Sequence, residues 1–134
     1  MSLYSETLLE YAKNPPNKGI LKDATIEYSE TNRSCGDSMR VYLRIYEDRV
    51  VDFAFEGDTA IVTTAAAAMF GEEILGMNIE NVLVMRYPEI RAMLGQDVTP
   101  KRQMAACLAL VATRNALHIY RNDGLKDDFS DVID

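Results

Sequence analysis

The sequence predicts an α+β domain in which helices cover one face of a three-stranded antiparallel sheet. Three observations carry that reading. Between residues 24 and 56 apolar side chains alternate with polar ones, the spacing of half-buried strands, and from residue 61 onward they recur at helical spacing. After one short N-terminal helix the strands come first and the helices follow, without the strand–helix–strand alternation that builds a parallel sheet. The 134 residues amount to about one domain on the usual range of ~100–200, and 48% apolar with 26% charged residues is an ordinary globular balance, so one core is expected.

Residues 3–13 carry Leu8, Leu9 and Ala12 at helical spacing, with Ser2 or Ser5 as N-cap. The run Asn14-Pro15-Pro16-Asn17-Lys18-Gly19 stops that helix, because proline cannot continue its hydrogen bonds. Ala24, Ile26 and Tyr28 open the first strand, and in the second Val41, Leu43 and Ile45 alternate with Arg40, Tyr42, Arg44 and Tyr46. Glu47-Asp48 supplies a tight turn; Val51, Phe53 and Phe55 then face one way and Asp52, Ala54 and Glu56 the other, which predicts an antiparallel hairpin. Residues 61–74 form an alanine-rich, substantially buried helix with Gly76 at its C′ position. Asn78 caps a short helix over 79–84, Pro88 opens another that ends at Gly95, and Thr99-Pro100 reads as N-cap and first turn of a last helix reaching about Arg121. The domain is therefore drawn over residues 1–122. Residues 123–134 crowd together Asp123, Asp127, Asp128, Asp131 and Asp134, and read as a solvated, flexible acidic tail.

Fourteen Lys and Arg against twenty-one Asp and Glu leave a net charge of −7, which repels a phosphate backbone, so nucleic acid is not an expected partner. The longest apolar run, residues 65–70, falls far short of the ~20 residues of a membrane helix, and no signal pattern opens the chain. A cytoplasmic protein without a membrane partner is expected. Cys35 and Cys107 form neither a disulfide framework nor a close-spaced zinc motif, so any cysteine chemistry belongs to single thiols.

The polar stretch Asn32-Arg33-Ser34-Cys35-Gly36-Asp37-Ser38 joins the first two strands and sets a thiol and a carboxylate two residues apart across a glycine free to adopt positive φ. Soft and hard donors together at a loop tip suit a metal, and the same turn also arises for backbone reasons alone. His118, the single histidine, sits near the end of the last helix, where positive charge complements the helix dipole, so a surface or capping role is expected.

Taken in order along residues 11–117, these segments resemble the iron–sulfur cluster assembly scaffold family that includes IscU, SufU and the N-terminal domain of NifU. Asn14-Pro15-Pro16-Asn17-Lys18-Gly19 is similar to the family's Asn-Pro-x-Asn-x-Gly signature, and Cys35-Gly36-Asp37 to the loop of its first cysteine. Phe55-Glu56-Gly57-Asp58-Thr59-Ala60-Ile61-Val62, with the alanines after it, is similar to the segment of the second cysteine. Val98-Thr99-Pro100-Lys101-Arg102 stands where the IscU branch carries Leu-Pro-Pro-Val-Lys, and the short distance between these two segments suits IscU and NifU better than SufU, which has an insertion there. The resemblance implies a SufE/NifU-like fold, a scaffold rather than an enzyme, and iron, an iron–sulfur cluster or zinc as what is bound. It implies a cysteine desulfurase as partner.

Two of the three family cysteines are missing. Cys35 and Asp37 carry over as metal or cluster ligands, whereas the second cysteine falls at Thr59 and the family's His-Cys pair at Met104-Ala105. A hydroxyl, a thioether and a methyl do not replace thiolates and imidazole, because cluster iron needs electron-rich donors. Cys107 is displaced by two residues, a rotation of about 200° on a helix, and reads as a core residue before a ligand. In the family, the segment matching Thr99, Pro100, Lys101 and Arg102 recruits an Hsp70-type chaperone; only Pro100 and a basic residue persist here, which weakens that recruitment and leaves a basic rim that could face another partner.

Three functions follow. The first is a cluster-assembly scaffold that binds iron or sulfur through Cys35 and Asp37, its missing ligands coming from a second copy, a partner or a thiol cofactor. The second is a non-catalytic module that docks a desulfurase or another assembly partner without building a cluster and holds no metal. The third, a thiol redox protein, needs a resolving cysteine beside Cys35.

Overall fold

A computed structural model describes residues 4–134 and places α1 at Glu6–Lys13, β1 at Ile26–Asn32, β2 at Asp37–Tyr46, β3 at Arg49–Glu56, α2 at Ile61–Glu73, α3 at Ile79–Leu83, α4 at Tyr87–Leu94, α5 at Pro100–Ala106 and α6 at Leu108–Arg121. Met1 to Leu3, and Ser2 as a possible cap with them, lie outside the described residues. Ser5 caps α1, accepting from the Leu8 amide.

The three strands form one antiparallel meander, β1-β2-β3, as the period-two spacing requires. Glu47 and Asp48 close the β2–β3 hairpin with φ of 49° and 60°, the twist that a two-residue hairpin turn demands. Met39, Val41 and Leu43 of β2 and Phe53 and Phe55 of β3 are buried on the inner face; α6 packs on β1 and β2, and α2 on β3. The opposite face carries Glu27–Arg40 and Arg44–Asp52 ion pairs.

One phase expectation fails. Val51 is 44% exposed, whereas Val50 is fully buried. Pairing shifts between Arg44 and Ile45: Arg44 faces Asp52 and Ile45 faces Val50, so Val51 is the extra residue of a bulge. A bulge inverts the alternation on one side of itself, which is why Val50 and Phe53 share a face.

α2 is buried from Val62 to Gly71 and therefore on every side, with α1, α4, α5 and α6 around it. Small residues permit that crowding: a Cβ at Gly71 would come within 2.3 Å of the Phe53 ring. The long last helix expected after Pro100 is in fact two helices, α5 and α6, which break at Cys107 with φ −97° and ψ 2°.

The acidic tail stays largely exposed to solvent but is anchored to the domain. A one-turn 3-10 helix, Phe129–Asp131, leads into Val132, which is fully buried, and the Tyr87 amide donates to the Val132 carbonyl at 2.9 Å. The carboxylates that suggested a flexible tail meet cations of the helices: Asp127 pairs with Arg114 at 2.9 Å, and Asp134 with Arg86 at 2.7 Å. His118 is likewise neither a surface nor a capping residue; its ring nitrogens lie 2.8 Å from Asp123 and 2.8 Å from Asp127, and the bond from His118 holds the Asp123 carboxyl below the ordinary carboxylate range. Residues 123–134 thus strap α6 back to the start of α4. Trimming Val132→Ala should lower stability by about 2 kcal/mol in urea denaturation, whereas a tail free in solvent would give no change.

Candidate functional site

Cys35 stands at the tip of the β1–β2 hairpin. Asn32 faces Asp37 as the last strand pair, so residues 33–36 make the loop, and Gly36 closes it at φ 80°. Asn32 organises the turn: its carbonyl accepts from the Gly36 amide at 2.9 Å, its side-chain oxygen from the Ser34 amide at 3.1 Å, and its side-chain amide donates to Cys35 Sγ at 3.1 Å. Asn32 is fully buried, so the exposed thiol rests on a rigid base.

Asp37 begins β2 and points its carboxylate at the start of α2. Oδ2 accepts from the Thr63 hydroxyl at 2.6 Å and from the Ala60 amide at 3.3 Å. Ala60 is the N-cap of α2 and has no capping side chain, so Asp37 supplies from another element the acceptor that the helix lacks, in the place where the dipole favours negative charge.

Between these groups lies a cavity of about 420 Å³ lined by Cys35, Asp37, Ala60, Val62 and Ala105, and by Thr99, Lys101 and Arg102 at the start of α5. Three distant segments therefore converge: the hairpin tip, the start of α2 and the start of α5. Pro100 occupies the first turn of α5, Thr99 makes no side-chain cap bond, and Lys101 and Arg102 are exposed. The Arg102 guanidinium lies 5.7 Å from the Tyr4 ring centroid.

The remaining positions singled out in the sequence contribute few donors. The Thr59 hydroxyl is paired with Thr64 at 2.6 Å. Met104 Sδ accepts from Ser34 at 3.8 Å, beside the loop rather than among the residues that line the cavity. Ala105 lines the cavity with a methyl group. Cys107 sits at the α5–α6 break, fully buried, and burial pushes its thiol up to about 12, far from the thiolate that binds metal or resolves a disulfide. Among the described residues no group of three or more His, Cys, Asp or Glu side chains is arranged to hold a metal ion. A [2Fe–2S] cluster needs four electron-rich ligands, and this cavity offers one thiol and one partly engaged carboxylate. The donor set does not fit a cluster held by a single chain.

Sequence reasoning missed Asn32 and Thr63. Asn32 had a local signal, an Asn followed two residues later by Ser, the pattern of a side chain that bonds the backbone ahead of it. Thr63 had none, because its partner Asp37 is 26 residues away.

A family model described as NifU-like N terminal domain matches residues 3–127. Among curated proteins the chain is similar to the iron-sulfur cluster assembly scaffold protein IscU of Thermotoga maritima, at 36% identity over 80 residues that make up 60% of this chain and 56% of that protein. It is also similar to the zinc-dependent sulfurtransferase SufU of Bacillus subtilis, at 36% identity over 84 residues, 63% of this chain and 56% of that one. Each match spans just over half the length of the relative. The crystal structure of a nitrogen-fixing NifU-like protein (N-terminal) from Brucella abortus aligns with a TM-score of 0.74 over 90% of this chain and 95% of that chain at 17% identity, a likeness of fold.

Proposed function

The chain belongs to the NifU-like N terminal domain family, and on that premise we propose that it serves iron–sulfur cluster assembly as a scaffold-type protein whose Cys35 takes up the cargo, sulfur or iron. The single observation that carries this reading is the exposed Cys35 thiol held beside Asp37 over a cavity rimmed by Lys101 and Arg102. Sulfur is the cargo that one thiol suffices to hold. Iron at Cys35 and Asp37 needs further donors, which a second copy of the chain or a partner would supply, and zinc, with its four ligands, needs them equally.

The sulfur source under this reading is a cysteine desulfurase, and the place is the cytoplasm, where thiols stay reduced. The SufU relative is named a sulfurtransferase; this chain takes the accepting end of such a transfer, as a carrier rather than a catalyst. Thr99, Pro100, Lys101 and Arg102 form the partner-facing start of α5. Recruitment of an Hsp70-type chaperone forms no part of the proposal, since little of that motif is present.

The test is sulfur transfer from a desulfurase to wild type, Cys35→Ser and Cys107→Ser, read by mass spectrometry as the gain of one sulfur atom. Transfer is expected to persist in Cys107→Ser and to vanish in Cys35→Ser. Desulfurase binding without transfer to any of the three would favour the docking module instead, and neither binding nor transfer would remove the chain from the pathway.

A further inference from the structure

We propose that, beside the desulfurase, the cavity beneath Cys35 admits a small anionic persulfide as a second sulfur donor, selected by Lys101 and Arg102. The inference rests on the sulfur-accepting reading above and names the substrate class of that site.

The cavity volume of about 420 Å³ lies in the range of small-ligand sites, ~300–1,000 Å³. Its walls beyond the thiol are mostly apolar, from Ala60, Val62 and Ala105, and the carboxylate within it has its Oδ2 turned to Thr63 and Ala60 at the start of α2. Charge is left at one side. Lys101 and Arg102 are the two cations that line this cavity, and neither forms an ion pair among the described residues, whereas Arg40, Arg44, Arg86, Arg114 and Arg121 are paired to carboxylates elsewhere. These two cations stand on a chain of net charge −7. An anionic donor is therefore repelled by most of the surface and drawn to the rim of the one cavity that holds an exposed thiol. Carboxylates of a small donor would meet Lys101 and Arg102, while its sulfur end reaches Cys35.

The transfer balances without any oxidant. The Cys35 thiolate attacks the terminal sulfur of R–S–SH, a new S–S bond forms at Sγ, the donor's S–S bond breaks, and the departing R–S⁻ takes up the proton that the Cys35 thiol released. The products are the Cys35 persulfide and R–SH.

The experiment compares the rates at which glutathione persulfide, which carries carboxylates, and cysteamine persulfide, which carries an ammonium, label Cys35, with the neutral free thiol N-acetylcysteinamide setting the intrinsic ratio of the two donors. Wild type should favour the anionic donor by about tenfold over that ratio, less at high salt. Lys101→Gln/Arg102→Gln should bring the preference to the free-thiol ratio and Lys101→Glu/Arg102→Glu should invert it, with circular dichroism and a cooperative urea transition showing that each variant is folded. A preference equal to that of the free thiol in wild type would overturn the proposal and leave Cys35 as sulfur acceptor. Labelling by a desulfurase but by neither small donor would do the same, whereas no labelling from any source would remove the sulfur-accepting reading and the proposal together.

Discussion

Gly57→Ala is expected to destabilise the protein by about 3 kcal/mol or more and to weaken sulfur acceptance at Cys35. Gly57 follows β3 with φ 144°, a conformation that side chains resist at a cost of about 1–3 kcal/mol. A Cβ there would also lie 2.2 Å from the Ser38 carbonyl oxygen and 3.2 Å from the Met39 Cα. Both neighbours are backbone of β2, so relief requires the strand itself to move, and overpacking of that kind adds about 1–3 kcal/mol. Ser38 directly follows Asp37, whose bonds to Thr63 and Ala60 tie the hairpin tip to α2. Displacing Ser38 therefore disturbs the cavity as well as the fold. Gly36→Ala is the control, since Gly36 also has positive φ, 80°, but nothing lies within 4 Å of its added Cβ; strain alone should cost about 1 kcal/mol. Urea denaturation of the two variants checks the difference, and equal losses would show that the close approach to Ser38 carries no energetic weight.

The order of elements was legible in the sequence because each was announced by local chemistry. Ser5, Asn78 and Gly95 mark helix ends whose caps are made within a few residues. What could not be read locally involved partners far along the chain. The bulge at Val51 depends on how β3 pairs with β2, and strict alternation placed the wrong valine in the core. The crowded aspartates of 123–134 resembled a free tail in composition, yet Asp134 pairs with Arg86, Asp127 with Arg114, and Asp123 and Asp127 bond the His118 ring, partners that only the returning chain brings near. Nothing between Pro100 and Arg121 signals a stop, as no glycine or proline stands at Cys107, where the helix nevertheless breaks. At the site, the pairing of a thiol and a carboxylate around Gly36 was visible as a turn. The engagement of Asp37 by the start of α2 was not, and it makes this carboxylate an acceptor for a helix before it is a ligand for anything else.

The ligand deficit leads to the sharpest expected contrast. Wild-type chains incubated anaerobically with iron and sulfide should hold no cluster through desalting and show no stable visible absorption, because a single chain offers fewer than the four donors that cluster iron requires. Thr59→Cys/Met104→His/Ala105→Cys should retain iron and sulfide and acquire that absorption. The positions are suited to it: residue 105 lines the same cavity as Cys35 and Asp37, residue 59 directly precedes Ala60 on its wall, and residue 104 already touches Ser34 of the hairpin tip. Removing the Thr59 hydroxyl costs little, since Thr64 keeps its bonds to the Thr59 and Ala60 carbonyls at 3.2 and 3.0 Å. With Cys35, the two added thiols and a fourth donor at 104 or 37 complete a set of the right chemistry around one cavity. If wild type itself retained a cluster as a monomer, Cys107 would have to leave the core to serve as a ligand, contrary to its burial. If the triple variant, folded by circular dichroism, gained none, positions 59, 104 and 105 would not be where the lost ligands stood, and the departures from the family would lie in the shape of the cavity rather than in three side chains.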